Sequence, residues 1–100
     1  MALVHEREGR VDGFVIGNLL SSPPVYALDQ ITCLIDDFHV ASPDAWSNVG
    51  TTLLRSANRE AKKRGAAQTA VICGHLDQPK RQMLLSAGSV ISSEWWVKVW

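Results

Sequence analysis

Hydrophobic and polar positions change their rhythm several times along this chain, and each rhythm predicts an element. Residues 3–6 are short and β-compatible, Glu8-Gly9-Arg10 supplies a turn, and residues 11–20 read Val-Asp-Gly-Phe-Val-Ile-Gly-Asn-Leu-Leu. Two such strands about a glycine-containing turn form a β-hairpin. Gly13 and Gly17 within the second strand point to a bulge or a close backbone approach. Ser21-Ser22-Pro23-Pro24 then interrupts the sheet, because proline has no N–H to give to a ladder, and the loop runs to about Asp29. Ile31–Val40 follows as the strongest strand pattern, dense in β-branched and aromatic residues. Strict alternation places Cys33, Ile35 and Asp37 on one face, with Leu34, Asp36 and Phe38 on the other.

Ser42-Pro43-Asp44 is a helix-start signal: a capping hydroxyl, a proline for the first turn, then a carboxylate. Residues 51–64 carry helical periodicity, with Val49, Leu53, Ala57 and Ala61 four apart and Leu54 widening the stripe. Arg55, Arg59, Lys62 and Lys63 occupy the opposite face and read as a solvated surface. The helix dipole favours such cations near its C-terminal end, where Gly65 closes the helix. Residues 68–73 are a continuous apolar strand of the kind found in parallel sheets. Residues 77–87 form a second helix with Met83, Leu84 and Ala87 as its apolar side and Gly88 as its stop. Residues 90–100, rich in Val and Trp, complete the series as a strand. The order is β-β-β-α-β-α-β, an α/β fold whose third strand, helix and fourth strand make a right-handed parallel crossover.

Bulk properties narrow the partners. The sequence has 100 residues, enough for one domain and one core. Ten Lys and Arg balance ten Asp and Glu. That balance argues against a nucleic acid or an anionic membrane as partner, since phosphate attraction needs an excess of cations. No apolar run reaches the roughly 20 residues that span a bilayer, and the charged start lacks the apolar core of a signal peptide. A cytoplasmic location is the resulting expectation. Cys33 and Cys73 form no C-x-x-C pair and read as small apolar side chains. Cys33, Cys73, His39 and His75 have the residue types of a metal site, but no ligand spacing supports one.

Residues 31–88 resemble the core of the GNAT-family N-acetyltransferases. The resemblance rests on several runs: Ile35-Asp36-Asp37-Phe38-His39-Val40-Ala41-Ser42-Pro43, then Ser47-Asn48-Val49-Gly50-Thr51-Thr52, then Glu60-Ala61-Lys62-Lys63-Arg64-Gly65-Ala66. Ala70-Val71-Ile72-Cys73 and Leu84-Leu85-Ser86-Ala87-Gly88 complete it. It implies a GNAT-like mixed sheet and acetyl-CoA as a substrate. Phe38, His39 and Val40 would offer main-chain groups to the pantetheine arm. Asn48, Val49, Gly50, Thr51 and Thr52 would form the diphosphate turn. A helix N-terminus with free amides and a partial positive charge suits such an anion, and Gly50 has no Cβ to hold it off. The strands Ile31–Val40 and 68–73 would splay to admit the thioester.

The chain also departs from the family. In the phosphate signature Ser47 and Thr52 replace the usual Gln or Arg and the final Gly or Ala, so Gly50 alone is kept. Leu84 stands where the family has the tyrosine that protonates the departing thiolate. The family's leading strand and helices, which help to form the acceptor site, are missing before the hairpin. The expectation is therefore a single truncated GNAT-like domain over 1–100 that lacks part of its own acceptor pocket.

Asp36, Asp37 and His39 are the candidate general bases for an acceptor amine, and His75 is a further histidine at a strand end. Adjacent strand residues face opposite ways, so at most one of the two aspartates lies in a given cleft. The competing reading leaves these groups solvated. Trp95, Trp96 and Trp100 put aromatic area on both faces of the last strand, which points to a homodimer through that strand. Core packing beneath the helices is the alternative. Two functions follow: acetyl transfer from acetyl-CoA to an amine, or a non-catalytic module of the same fold that dimerises through its Trp-rich terminal strand.

Overall fold

A computed structural model describes residues 1–21 and 30–100 of the chain. β1 (Ala2–Arg7) and β2 (Arg10–Ser21) form the expected hairpin, closed by Glu8 at φ 54° and Gly9 at φ 77°. β3 (Ile31–Val40) pairs antiparallel with β2, and β4 (Gln68–Val71) pairs parallel with β3. The four strands stand in the order β1-β2-β3-β4. This is the expected mixed sheet with its parallel crossover. The loop expected at Ser22, Pro23 and Pro24 lies outside the described residues.

The crossover helix α1 (Val49–Lys63) buries Val49, Leu53, Leu54, Ala57 and Ala61, the stripe read from the sequence. Ser42-Pro43-Asp44 opens a different element, a short 3-10 helix over Pro43–Ser47, and α1 begins after it with Asn48 as its cap. α2 (Gln78–Ser86) is capped by the Asp77 carboxylate and buries Lys80, Met83 and Leu84. The apolar ones among these helix residues join Val15, Cys33, Ile35, Phe38 and Trp46 in one core, so the helices cover one face of the sheet. Removing a Phe, Ile or Val side chain of this core from water contributes roughly 1.5–3 kcal/mol. Both cysteines are free, with Cys33 buried and Cys73 half-buried.

Two features depart from the simple pattern. Ile16 pairs with Asp37 but Gly17 pairs with Ile35, so Asp36 is an extra, bulged residue in β3. Alternation is broken there. Phe38 joins Cys33 and Ile35 in the core, while Asp37 turns to the other face; the strict alternation expected over this strand holds only up to Ile35. The second departure is residues 90–100, which form neither helix nor strand. Trp95 is 94% exposed, Trp96 87% and Trp100 102%, so these indoles are not core. Among the described residues, no helix is long and apolar enough to cross a membrane.

Candidate functional site

The β3 bulge lies where the two parallel strands part. The last paired residues are Ile35 and Val71, and a final hydrogen bond runs from the Ile72 amide to the Ile35 carbonyl at 3.0 Å. Beyond it β3 continues through Asp36 to Val40, while the other strand has ended. An inserted residue bends its strand and increases the local twist, so Asp36 accounts for the parting at this point. The fourth strand expected over residues 68–73 thus ends at Val71, and beyond Ile35 this side of β3 has no strand partner among the described residues.

What fills the gap was not anticipated. Lys80 reaches from α2 and its Nζ donates to the Phe38 carbonyl at 3.3 Å. The ammonium also lies 5.5 Å from the Phe38 ring centroid and 5.2 Å from that of Trp46. Those two rings meet edge to face at 4.9 Å. Lys80 is 8% exposed and makes no ion pair within 4 Å among the described residues. Burial pushes its pKa below the ordinary 10.5, partly offset by the negative charge of Cys73 when ionised and of Asp77 and Asp37. A buried charge held only by a carbonyl and two π-faces is a costly arrangement.

Two open clefts adjoin this plug. One, of about 300 Å³, runs past His39, Val40 and Ser42 to Leu76 and Asp77; the other, of about 470 Å³, includes Ser47, Thr51, Gln82 and Ser86. They share Pro43, Trp46 and Pro79 as lining residues, the first lying at the end of β3 and the second at the start of α1.

The expected site residues divide between these places. His39 Nε2 lies 3.0 Å from Asp37 Oδ1, both well exposed, and the His39 ring packs near Phe14 at 5.4 Å. The bulge puts these two side chains on one face of β3, and His39 lines the first cleft. Asp36 is exposed at the bulge and makes no such ion pair among the described residues. Phe38 is buried, so its contribution to a groove is its carbonyl, and Lys80 holds that. Val40 lines the first cleft.

At the start of α1, the Asn48 side chain accepts from the Val49 amide at 2.6 Å. Thr51 donates its hydroxyl to the Ser47 carbonyl at 3.0 Å, and Thr52 is exposed. Val49 and Gly50 are buried. A Cβ on Gly50 would stand 2.6 Å from Trp46 Cε3, so this glycine makes room for an indole. His75 is exposed, away from the Asp37–His39 pair in sequence, and its carbonyl accepts from Gln78.

Sequence reasoning therefore missed Trp46 and Lys80. Trp46 and Gly50 stand one helical turn apart, a large ring beside a residue without a side chain, which was a readable sign of close packing. Lys80 gave no such sign, because a lysine in the first turn of a short helix is ordinarily solvated.

No protein-family model matches the chain, and no curated protein matches its sequence. Solved structures do match its fold. A ribosomal-protein-alanine N-acetyltransferase from Brucella melitensis biovar Abortus 2308 superposes with a TM-score of 0.76 at 17% identity, over 99% of this chain and 70% of that one. An aminoglycoside acetyltransferase from an uncultured soil metagenomic sample gives 0.74 at 18%, over 98% and 63%. A mutant form of the BH1408 protein from Bacillus halodurans gives 0.85 at 13%, over 99% and 64%. The chain thus has the fold of GNAT-type acetyltransferases and spans 63–70% of the length of the first solved structures it matches.

Proposed function

We propose that this chain carries the acetyl-CoA-binding part of a GNAT-type N-acetyltransferase that acetylates an amine. The observation that carries the reading is the end of β3–β4 pairing at the Asp36 bulge, beside two clefts, one at the end of β3 and the other at the start of α1. The β3 main chain beyond the bulge supplies amide partners for a pantetheine arm. The first turn of α1, with Thr51 and Ser47 in the adjoining cleft, supplies the polar end for a diphosphate. Two free cysteines suit a reducing, cytoplasmic setting.

Within this reading His39 is the base. If Nε2–H donates to Asp37, the lone pair is on Nδ1, free to take a proton from the acceptor amine. The amine nitrogen bonds to the acetyl carbon, the carbon–sulfur bond breaks, and the sulfur leaves with the electron pair. His39 takes the amine proton, and water supplies one to the thiolate, since Leu84 has none to give. Most of the acceleration then comes from holding amine and thioester together.

Titration calorimetry with acetyl-CoA tests the binding half. Heat saturating at or below millimolar ligand is expected, and none at that concentration would overturn the reading. Thiol release with a panel of amines tests the chemistry. Binding without turnover would return the chain to the non-catalytic module. His39→Gln is expected to lower kcat by about 10²-fold or more while leaving acetyl-CoA binding unchanged.

A further inference from the structure

We propose that Lys80 is itself an acetyl acceptor: acetyl-CoA bound to this chain transfers its acetyl group to the Lys80 Nζ of the same chain. The inference rests on the acetyl-CoA reading above and adds a substrate to it, an amine that the fold already carries. The chain has four lysines. Lys62, Lys63 and Lys98 are exposed, as lysines ordinarily are, whereas Lys80 is buried at 8% exposure.

Its place is the first argument. The Lys80 Nζ donates to the Phe38 carbonyl, beyond Ile35, where β3 is last paired with β4. A pantetheine arm on this stretch of main chain brings its thioester to the same carbonyl, so the acetyl carbon arrives beside Nζ. Trp46, whose ring centroid is 5.2 Å from Nζ, lines both clefts, and so does Pro79, the residue before Lys80 in α2. The amine thus stands behind the wall that the two clefts share.

The surroundings of the amine favour loss of its charge. No carboxylate pairs with it within 4 Å among the described residues, and its partners are one carbonyl and the faces of Phe38 and Trp46. A cation so placed bears a desolvation cost. Burial draws Nζ toward the neutral amine, the form that attacks a carbonyl, and the negative charges of ionised Cys73, Asp77 and Asp37 offset this without reversing it. Acetylation completes the change, because the product amide is uncharged and keeps one N–H for the Phe38 carbonyl. In the step itself Lys80 first gives a proton to water. Its nitrogen lone pair bonds to the acetyl carbon, the carbon–sulfur bond breaks, and the sulfur leaves with the electron pair as thiolate. The nitrogen sheds its surplus proton to water, and water protonates the thiolate.

Peptide mass spectrometry of the full chain with acetyl-CoA, timed at each lysine, tests the proposal, with the exposed lysines as internal standards for chemical acetylation. Lys80 is expected to gain its acetyl group about tenfold faster or more than Lys62, Lys63 or Lys98, since a bound donor acts at a high effective concentration. The rate should saturate with acetyl-CoA and stay unchanged when the protein is diluted. Acetic anhydride, which needs no binding site, is expected to reverse the order and leave Lys80 last. Three results would overturn the proposal: Lys80 no faster than the exposed lysines with acetyl-CoA, a lead that persists with acetic anhydride, or a rate that falls on dilution. Calorimetry with coenzyme A on the same samples separates the two failures. Heat without acetylation of Lys80 removes self-acetylation alone, whereas the absence of heat removes the acetyl-CoA reading with it.

Discussion

Lys80 concentrates the tension of this molecule into one side chain. Its ammonium holds the carbonyl of Phe38 in the gap between β3 and β4, the same main-chain acceptor that a pantetheine amide entering there would use. On the proposed reading, ligand and lysine compete. Lys80→Ala is therefore expected to tighten acetyl-CoA binding about tenfold by calorimetry, and a weakened affinity would instead make Lys80 part of the binding surface. Stability responds with a defined sign. The folded pKa of Lys80 is lowered, so the unfolded chain binds more protons between that value and 10.5. The associated stability is full above 10.5 and is lost as pH falls through the folded value. Cys33 and Cys73 act oppositely: burial raises both from 9.0, so their stability is intact below 9.0 and is lost as pH rises through the folded values. Lys80→Met keeps the bulk and removes the charge. Denaturant titrations should find it more stable than the parent at pH 7, by on the order of 1 kcal/mol, with the difference narrowing toward pH 10.5. A difference independent of pH would assign the effect to packing.

At the scale of elements, the bulge at Asp36 links register, core and cleft. Residue types announced β3 and the stripe of α1, because hydrophobic periodicity is local and the core enforces it. An extra residue in one strand is set by its partner strand instead, so nothing in Ile35-Asp36-Asp37-Phe38 alone told which residue was surplus. The same limit hid the 3-10 helix: Ser42-Pro43-Asp44 signals a helical start without saying which helix follows. A splay could be expected from the resemblance, but the place that Lys80 takes beside β3 depends on where α2 docks. The register makes a firm statement about deletions. Removing Asp36 leaves Cys33, Ile35 and Phe38 inward in regular alternation, with Leu34, Asp37 and His39 outward. Removing Leu34 instead makes Cys33 and Ile35 adjacent, so one of two fully buried residues must turn out. The Asp36 deletion is expected to unfold cooperatively within about 2 kcal/mol of the parent, and the Leu34 deletion to lose about 3 kcal/mol or more. The Asp36 deletion should also extend β3–β4 pairing, with slower amide exchange at residues 37–40 and weaker acetyl-CoA binding. Equal losses for the two deletions would refute the bulge assignment.

At the scale of the whole molecule, a sheet covered on one face and an apolar segment standing clear of it set the terms of stability. A domain of this length holds a margin of about 5–15 kcal/mol, the difference of much larger opposing quantities. Its buried residues come from α1, α2, the 3-10 helix and the inner face of the sheet. Val4, Ile16 and Leu20 on the other face and residues 90–100 contribute little to that margin while exposed. Association with a second chain would recruit them, and mass action would make it measurable. When the folded chain binds a second folded chain and the unfolded chain does not, the melting temperature rises with protein concentration. For self-association, a total concentration about a hundred times the dissociation constant leaves about 7% of the chains free, which is worth about 1.6 kcal/mol, or about 6–13 °C for a domain of this size. Scanning calorimetry of the parent is expected to show such a rise. Trp95→Ser/Trp96→Ser should melt at one temperature throughout, near that of the dilute parent. A parent whose melting temperature ignores concentration would mean that the indoles remain in water and that the one-sided core alone sustains the fold.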